Sequence, residues 1–104
     1  MARFDVFANP DVAERKHTPY FVDIQNDYID ALPTRVVIPL RREAMFGPRA
    51  RHLNPTLVVG SDSVVLDTAA LGAVPIIELR KTIGSLRESR MDIQEALDFL
   101  FGSF

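Results

Sequence analysis

Residues 85–104 read SLRESRMDIQEALDFLFGSF, and their periodicity decides what closes this chain. Leu86, Ile93, Ala96, Leu97, Leu100 and Phe101 recur at three- and four-residue spacing, the mark of one apolar helix face, while Asp92, Glu95 and Asp98 fall on another. Ser85, followed three residues later by Glu88, has the form of a capping box, in which hydroxyl and carboxylate each satisfy a free N–H at a helix start. Gly102 suits the left-handed residue that ends a helix. The stretch predicts a C-terminal helix with Leu97, Leu100 and Phe101 in the core. Phe104, an aromatic beyond the helix stop, points to contact with another molecule, because chain ends are ordinarily polar and loose.

Everything before that helix is written in strands. Residues 4–8 make a short first strand closed by the turn signal Asn9-Pro10-Asp11, and the charged stretch 11–18 reads as an exposed loop or hairpin tip. Residues 20–25 alternate, with Tyr20, Val22 and Ile24 on one side and Phe21, Asp23 and Gln25 on the other. The β-branched run RVVIPL at 35–40 predicts a buried strand, with Pro39 near its end or beside an edge because proline cannot donate to a ladder. Residues 41–54 read as a long surface loop, 56–59 and 63–67 as a hairpin around Gly60-Ser61-Asp62, and 73–79 as the last strand. Residues 80–84 deliver the chain to the helix. Six short strands with hairpin-length connections and one terminal helix predict an α+β, mainly antiparallel β fold.

Composition narrows the function. A chain of 104 residues is expected to be a single domain. Its 47% apolar content leaves surface for a partner subunit, and its net charge of −2 argues against a general nucleic-acid binder. There is no cysteine, hence no disulfide framework and no thiolate zinc site. The run 69–77, broken by Gly72 and Pro75, is too short to span a bilayer, and the first residues lack an apolar signal region. A cytoplasmic protein with no membrane contact is expected.

Chemistry-bearing residues are sparse. His17 and His52 sit in charged loops without a locally spaced triad partner, and both read as solvated loop histidines. Asp23, Asp27 and Asp30 lack the spacing and central glycine of a calcium loop and read as turn carboxylates. Arg41, Arg42, Arg49 and Arg51 could grip carboxylate or phosphate, because guanidinium forks pair bidentately with both, but most such clusters are simply a solvated face, and the carboxyl end is the stronger binding candidate. On a negatively charged chain, an acidic protein segment is the expected partner. No catalytic residue, metal site or cofactor is expected.

The ordered motifs add a resemblance. FVDIQND at 21–27 with Ile29-Asp30, RVVIPL at 35–40, the stretch 55–60, Val74-Pro75 and Asp92-Ile93 resemble, in order and spacing, the CcdB family of plasmid-type toxins over nearly the whole chain. The resemblance implies a homodimer built on an SH3-like barrel sheet with a small wing and a C-terminal helix. It implies a toxin that binds between the arms of the DNA gyrase A subunit and traps the cleaved-DNA complex. A CcdA-like antitoxin, whose disordered tail wraps the toxin, would neutralise it, and the pair would repress its own promoter. DNA is then met only through the antitoxin complex. The implied gyrase-binding residues are Tyr28, Ile29, Asp98 and Phe101, continued by Gly102, Ser103 and Phe104, which align with the family's Trp-Gly-Ile tail. This chain has no tryptophan, and a one-residue slip would set Phe101-Gly102 against Trp-Gly instead. The acidic antitoxin is the partner expected for Arg41, Arg42, Arg49 and Arg51.

Two alternatives accompany this reading. An endoribonuclease toxin of the MazF/Kid type would share barrel and dimer but would need a loop arginine or histidine for RNA cleavage. A relic would bind antitoxin without poisoning gyrase.

Overall fold

The computed structural model describes residues 1–102. Its strands are β1 (Asp5–Ala8), β2 (Tyr20–Asp23), β3 (Thr34–Arg42), β4 (Thr56–Val59), β5 (Asp62–Leu66), β6 (Gly72–Pro75) and β7 (Thr82–Ser85), and α1 (Arg90–Phe101) closes the chain. All strands share one sheet of order β4-β5-β3-β2-β1-β7, with β6 paired to β3 off that path. Every pairing is antiparallel. The sheet curls into a half-barrel beside the helix, the SH3-like α+β arrangement.

β3 is the spine because its β-branched run offers a side chain to each face and pairs with neighbouring strands on both edges. One edge pairs β2. The other pairs β6 from Thr34 to Val37 and β5 from Leu40 to Arg42. Pro39 sits in the middle of this strand rather than at its end. Its carbonyl accepts from the Asp67 N–H at 3.1 Å, on the edge where β6 gives way to β5. The N and C=O of a strand residue point the same way, so the missing donor falls in that gap and costs no ladder bond.

Side-chain alternation sorts the core into two faces. Val6, Val22 and Ile38 lie opposite one another across the three adjacent strands, all fully buried, and pack with Leu40, Val64, Leu66, Leu86, Ile93, Ala96 and Leu97 beneath the helix. On the other face Phe7, Val37 and Leu79 form a smaller cluster with Phe21 and Val74.

The structure corrects several expectations. Among the described residues there are seven strands, not six: the 73–79 strand shortens to β6 followed by a 3-10 turn, Ile76–Glu78, and the supposed connection at 80–84 runs into β7. β7 pairs β1, with Asp5 opposite Ser85. That pairing also moves the helix start. Ser85 belongs to the sheet, the Leu86 N–H donates to the Phe4 carbonyl at 2.8 Å just beyond it, and the helix begins at Arg90 after a 3-10 turn, Arg87–Ser89. No capping box forms; the Ser85 hydroxyl instead accepts from the Arg87 N–H at 3.2 Å. At the other end Gly102 adopts φ 77° and closes α1, as expected of a residue without a Cβ.

Phe101 is the main core correction. Ile93, Ala96 and Leu97 are buried and Leu100 partly so, but Phe101 is 68% exposed. At about 100° per residue, Phe101 sits roughly 90° from the centre of that buried stripe. No helix is long and apolar enough to cross a membrane among the described residues.

Candidate partner-binding surface

The turn after β2 is built by its own polar residues. The Asn26 side-chain oxygen accepts from the Tyr28 N–H at 2.9 Å, its carbonyl accepts from the Ile29 N–H at 3.0 Å, and the Gln25 amide donates to the Ile29 carbonyl at 2.6 Å. These bonds raise Tyr28 and Ile29 on a fixed loop, 95% and 48% exposed.

An ion pair anchors the turn from below. Arg35 donates to Asp23 through Nε at 2.7 Å and Nη2 at 3.0 Å, and both residues are buried. The same Nη2 lies 3.4 Å from the Gln25 carbonyl and 3.5 Å from Asp27 Oδ1. The hydrogen bond to Asp23 raises the Arg35 pKa above its ordinary value, outweighing the lowering by burial. Asp23 is therefore a structural carboxylate inside the sheet, not a solvated turn residue. Nothing local in the sequence marks it, because its partner lies on the next strand.

Arg3 joins this turn to the helix. Its backbone N–H donates to Asp27 Oδ1 at 2.7 Å, its Nε to the Ile24 carbonyl at 3.1 Å, and its Nη2 to Gln94 Oε1 at 3.0 Å. Gln94 in turn donates to Asp98 Oδ1 at 3.0 Å. The Arg3 guanidinium also stacks 4.8 Å from the Phe4 ring centroid. Met91, Gln94, Asp98 and Phe101 fall on one exposed side of α1 by helical spacing. Between this side and Arg3 runs a groove of about 440 Å³, with Phe4 and Met91 among its walls. Sequence reasoning missed Arg3 and Gln94, whose roles depend on a contact across most of the chain length.

Among the residues expected to bind partners, Tyr28, Ile29, Asp98, Phe101 and Gly102 thus lie on two elements tied together by Arg3. Ser103 and Phe104 lie outside the described residues. The four arginines do not form one free patch. Arg41 and Arg42 belong to β3, not to a loop, and as neighbours in a strand they point to opposite faces. Arg41 pairs with Asp67 at 2.9 Å and Thr18 Oγ1 at 2.6 Å, Arg42 with Asp62 at 3.4 Å, and Arg49 with Glu43 at 2.7 Å. Arg51 is exposed and has no ion pair among the described residues.

The Tyr20 hydroxyl donates to Asp62, which raises the phenol's pKa above its ordinary 10.0. His52 is not simply solvated: it meets Glu95 of α1 at 2.8 Å and packs its ring 6.0 Å from Phe99. Among the described residues, no cluster of three His, Cys, Asp or Glu side chains could hold a metal ion.

A curled half-barrel of antiparallel strands with a helix at its end places this chain in the SH3-like barrel class. Within that class it belongs to the CcdB family: the family model described as "CcdB protein" matches residues 3–102 of the 104. It is therefore a toxin of the toxin–antitoxin kind, from a family that poisons gyrase and does not itself catalyse a reaction.

Proposed function

We propose that this protein binds the A subunit of DNA gyrase as a homodimer, traps the gyrase–cleaved-DNA complex, and is neutralised by the tail of a CcdA-like antitoxin. The observation that carries the reading is the pairing of two exposed aromatic side chains on separate but coupled elements. Tyr28 is 95% and Phe101 68% exposed, and Arg3 bonds both to the turn that carries one and to the helix that carries the other. Exposed aromatics fixed on rigid elements are what a binding hot spot requires, since little ordering entropy remains to be lost. Ile29, Asp98 and Gly102 complete this surface, and Ser103 and Phe104 would continue it.

The acidic antitoxin tail would meet Arg51 directly. At Arg41, Arg42 and Arg49 it would compete with Asp67, Asp62 and Glu43, which already hold those guanidinium groups.

The test is a cleavage assay with purified gyrase and supercoiled plasmid. Linear DNA released by detergent and protease is expected in the presence of the protein. The Tyr28→Ala and Phe101→Ala variants should each need roughly 30-fold more protein, the equivalent of about 2 kcal/mol of contact energy. Absence of linear DNA with the unaltered protein would remove the reading.

A further inference from the structure

We infer that a hollow at the far end of β1 from Arg3 is a preformed site for an acidic peptide segment. The hollow has a volume of about 490 Å³ and is lined by Arg15, Arg80 and Lys81 around Pro10 and Ile83, with Glu78 as its one carboxylate. Three cations against one acid leave a positive excess in a concave place, on a chain whose overall charge is −2.

These cations differ from the arginines of β3 and from Arg49 in being unneutralised. Arg35, Arg41, Arg42 and Arg49 each face a carboxylate already. Among the described residues, Arg15, Arg80 and Lys81 have no ion pair, with Glu78 or with any other acid.

The site is also held in shape. Arg15 Nε donates to the Asn9 carbonyl at 2.7 Å, and buried Asn9 is itself fixed through Thr18 at 2.9 Å and the Asp11 N–H at 3.0 Å. Arg80 and Lys81 directly precede β7, whose Thr82 lies opposite Phe7, so the register sets them against the end of β1. Arg15 and the backbone that carries Arg80 and Lys81 are therefore in place before a ligand arrives.

A segment that mixes carboxylates with aliphatic side chains suits both features: guanidinium forks for the acids, Pro10 and Ile83 for the apolar groups. A nucleic-acid backbone would use the cations but leave the apolar wall unmatched. The inference deepens the antitoxin part of the proposed function, on which it rests for the source of such a segment. It places an anchor for that segment away from Arg41, Arg42 and Arg49.

The experiment follows fluorescence anisotropy of a labelled peptide of Glu-Glu-Leu repeats titrated with the full chain at low salt, beside labelled oligothymidylate of matched length. The peptide is expected to bind, and Arg80→Ala combined with Lys81→Ala should weaken it about tenfold and flatten its salt dependence, with an unchanged thermal midpoint. Unchanged affinity in that variant, no peptide binding at all, or tighter binding of oligothymidylate than of peptide would each overturn the assignment. Peptide binding by a protein that fails to trap gyrase would remove the gyrase reading and leave this site standing.

Discussion

Arg35 and Asp23 meet as a two-pronged pair inside the sheet, Nε to Oδ2 at 2.7 Å and Nη2 to Oδ1 at 3.0 Å, with their side chains 4% and 0% exposed. Arg35 is also the residue from which the Tyr28 turn hangs, through the Gln25 carbonyl and Asp27. Breaking a buried pair by removing one partner leaves an uncompensated charge out of water. Asp23→Ala is therefore expected to cost about 3–5 kcal/mol of unfolding free energy, read from urea denaturation. A loss below about 1 kcal/mol would mean that water reaches Arg35 and that the turn is anchored elsewhere.

Arg3 should behave as a coupling residue more than a stabilising one. Its bonds to Asp27 and Gln94 are at the surface, so Arg3→Ala is expected to change stability by about 1 kcal/mol or less. Its effect on gyrase trapping should overlap that of Gln94→Ala, because both break the same bridge. A double-mutant cycle read in the cleavage assay should give a coupling of about 0.5 kcal/mol or more. Strictly additive losses would show that turn and helix act as separate contacts.

How much of this was legible in the sequence divides along locality. The RVVIPL strand, the hairpin at Gly60 and the stop at Gly102 follow from residue type and short spacing, and the structure has all three. β7 was hidden because Arg80 and Lys81 read as connection, and because its partner β1 lies at the other end of the chain. The same remote pairing holds Ser85 in the sheet and ties Leu86 to Phe4, which is why a cap-like sequence caps nothing. Phe101 matched the apolar spacing but sits on the stripe's margin, a matter of tens of degrees that spacing alone does not resolve. The Arg35–Asp23 pair and the Arg3 bridge are tertiary facts, with only common residue types to announce them.

Tyr20 gives a pH prediction with a definite sign. Its pKa is raised in the folded chain because the hydroxyl donates to Asp62. A raised value means the folded state holds the proton more tightly, so this contribution is complete below pH 10.0 and fades as pH climbs through the folded value. The chain has two tyrosines and no tryptophan, so a Tyr28→Phe variant reports Tyr20 alone in the ultraviolet. Its phenolate midpoint should lie above 10.0, and Asp62→Asn should lower it. An unchanged midpoint in that second variant would separate the shift from Asp62.

Dimerisation should be visible thermodynamically. Ile77 is 83% and Leu32 49% exposed, aliphatic surface that a second subunit would cover. The thermal midpoint is expected to rise with protein concentration, because mass action stabilises a folded dimer. A constant midpoint together with a monomer mass by light scattering at micromolar concentration would rule the dimer out.

The sharpest separation of fold from contact lies within α1 itself, between Ile93 and Phe101. Ile93 is fully buried in the main core, while Phe101 is 68% exposed on the side that also carries Asp98. Ile93→Ala removes buried methyl groups and leaves a cavity, so it should cost about 2–5 kcal/mol in stability. Phe101→Ala removes little that is buried in this chain and should alter stability by no more than about 0.5 kcal/mol. In the gyrase cleavage assay the order should reverse. At a temperature where both variants remain folded, Ile93→Ala should trap cleaved DNA nearly as well as the unaltered protein, while Phe101→Ala should require roughly 30-fold more protein. Urea denaturation and the cleavage assay, run on the same preparations, give the comparison. Equal trapping by Phe101→Ala and the unaltered protein would take Phe101 off the contact surface. A large stability loss in Phe101→Ala would instead mean that its ring is covered in the working protein, most simply by the second subunit.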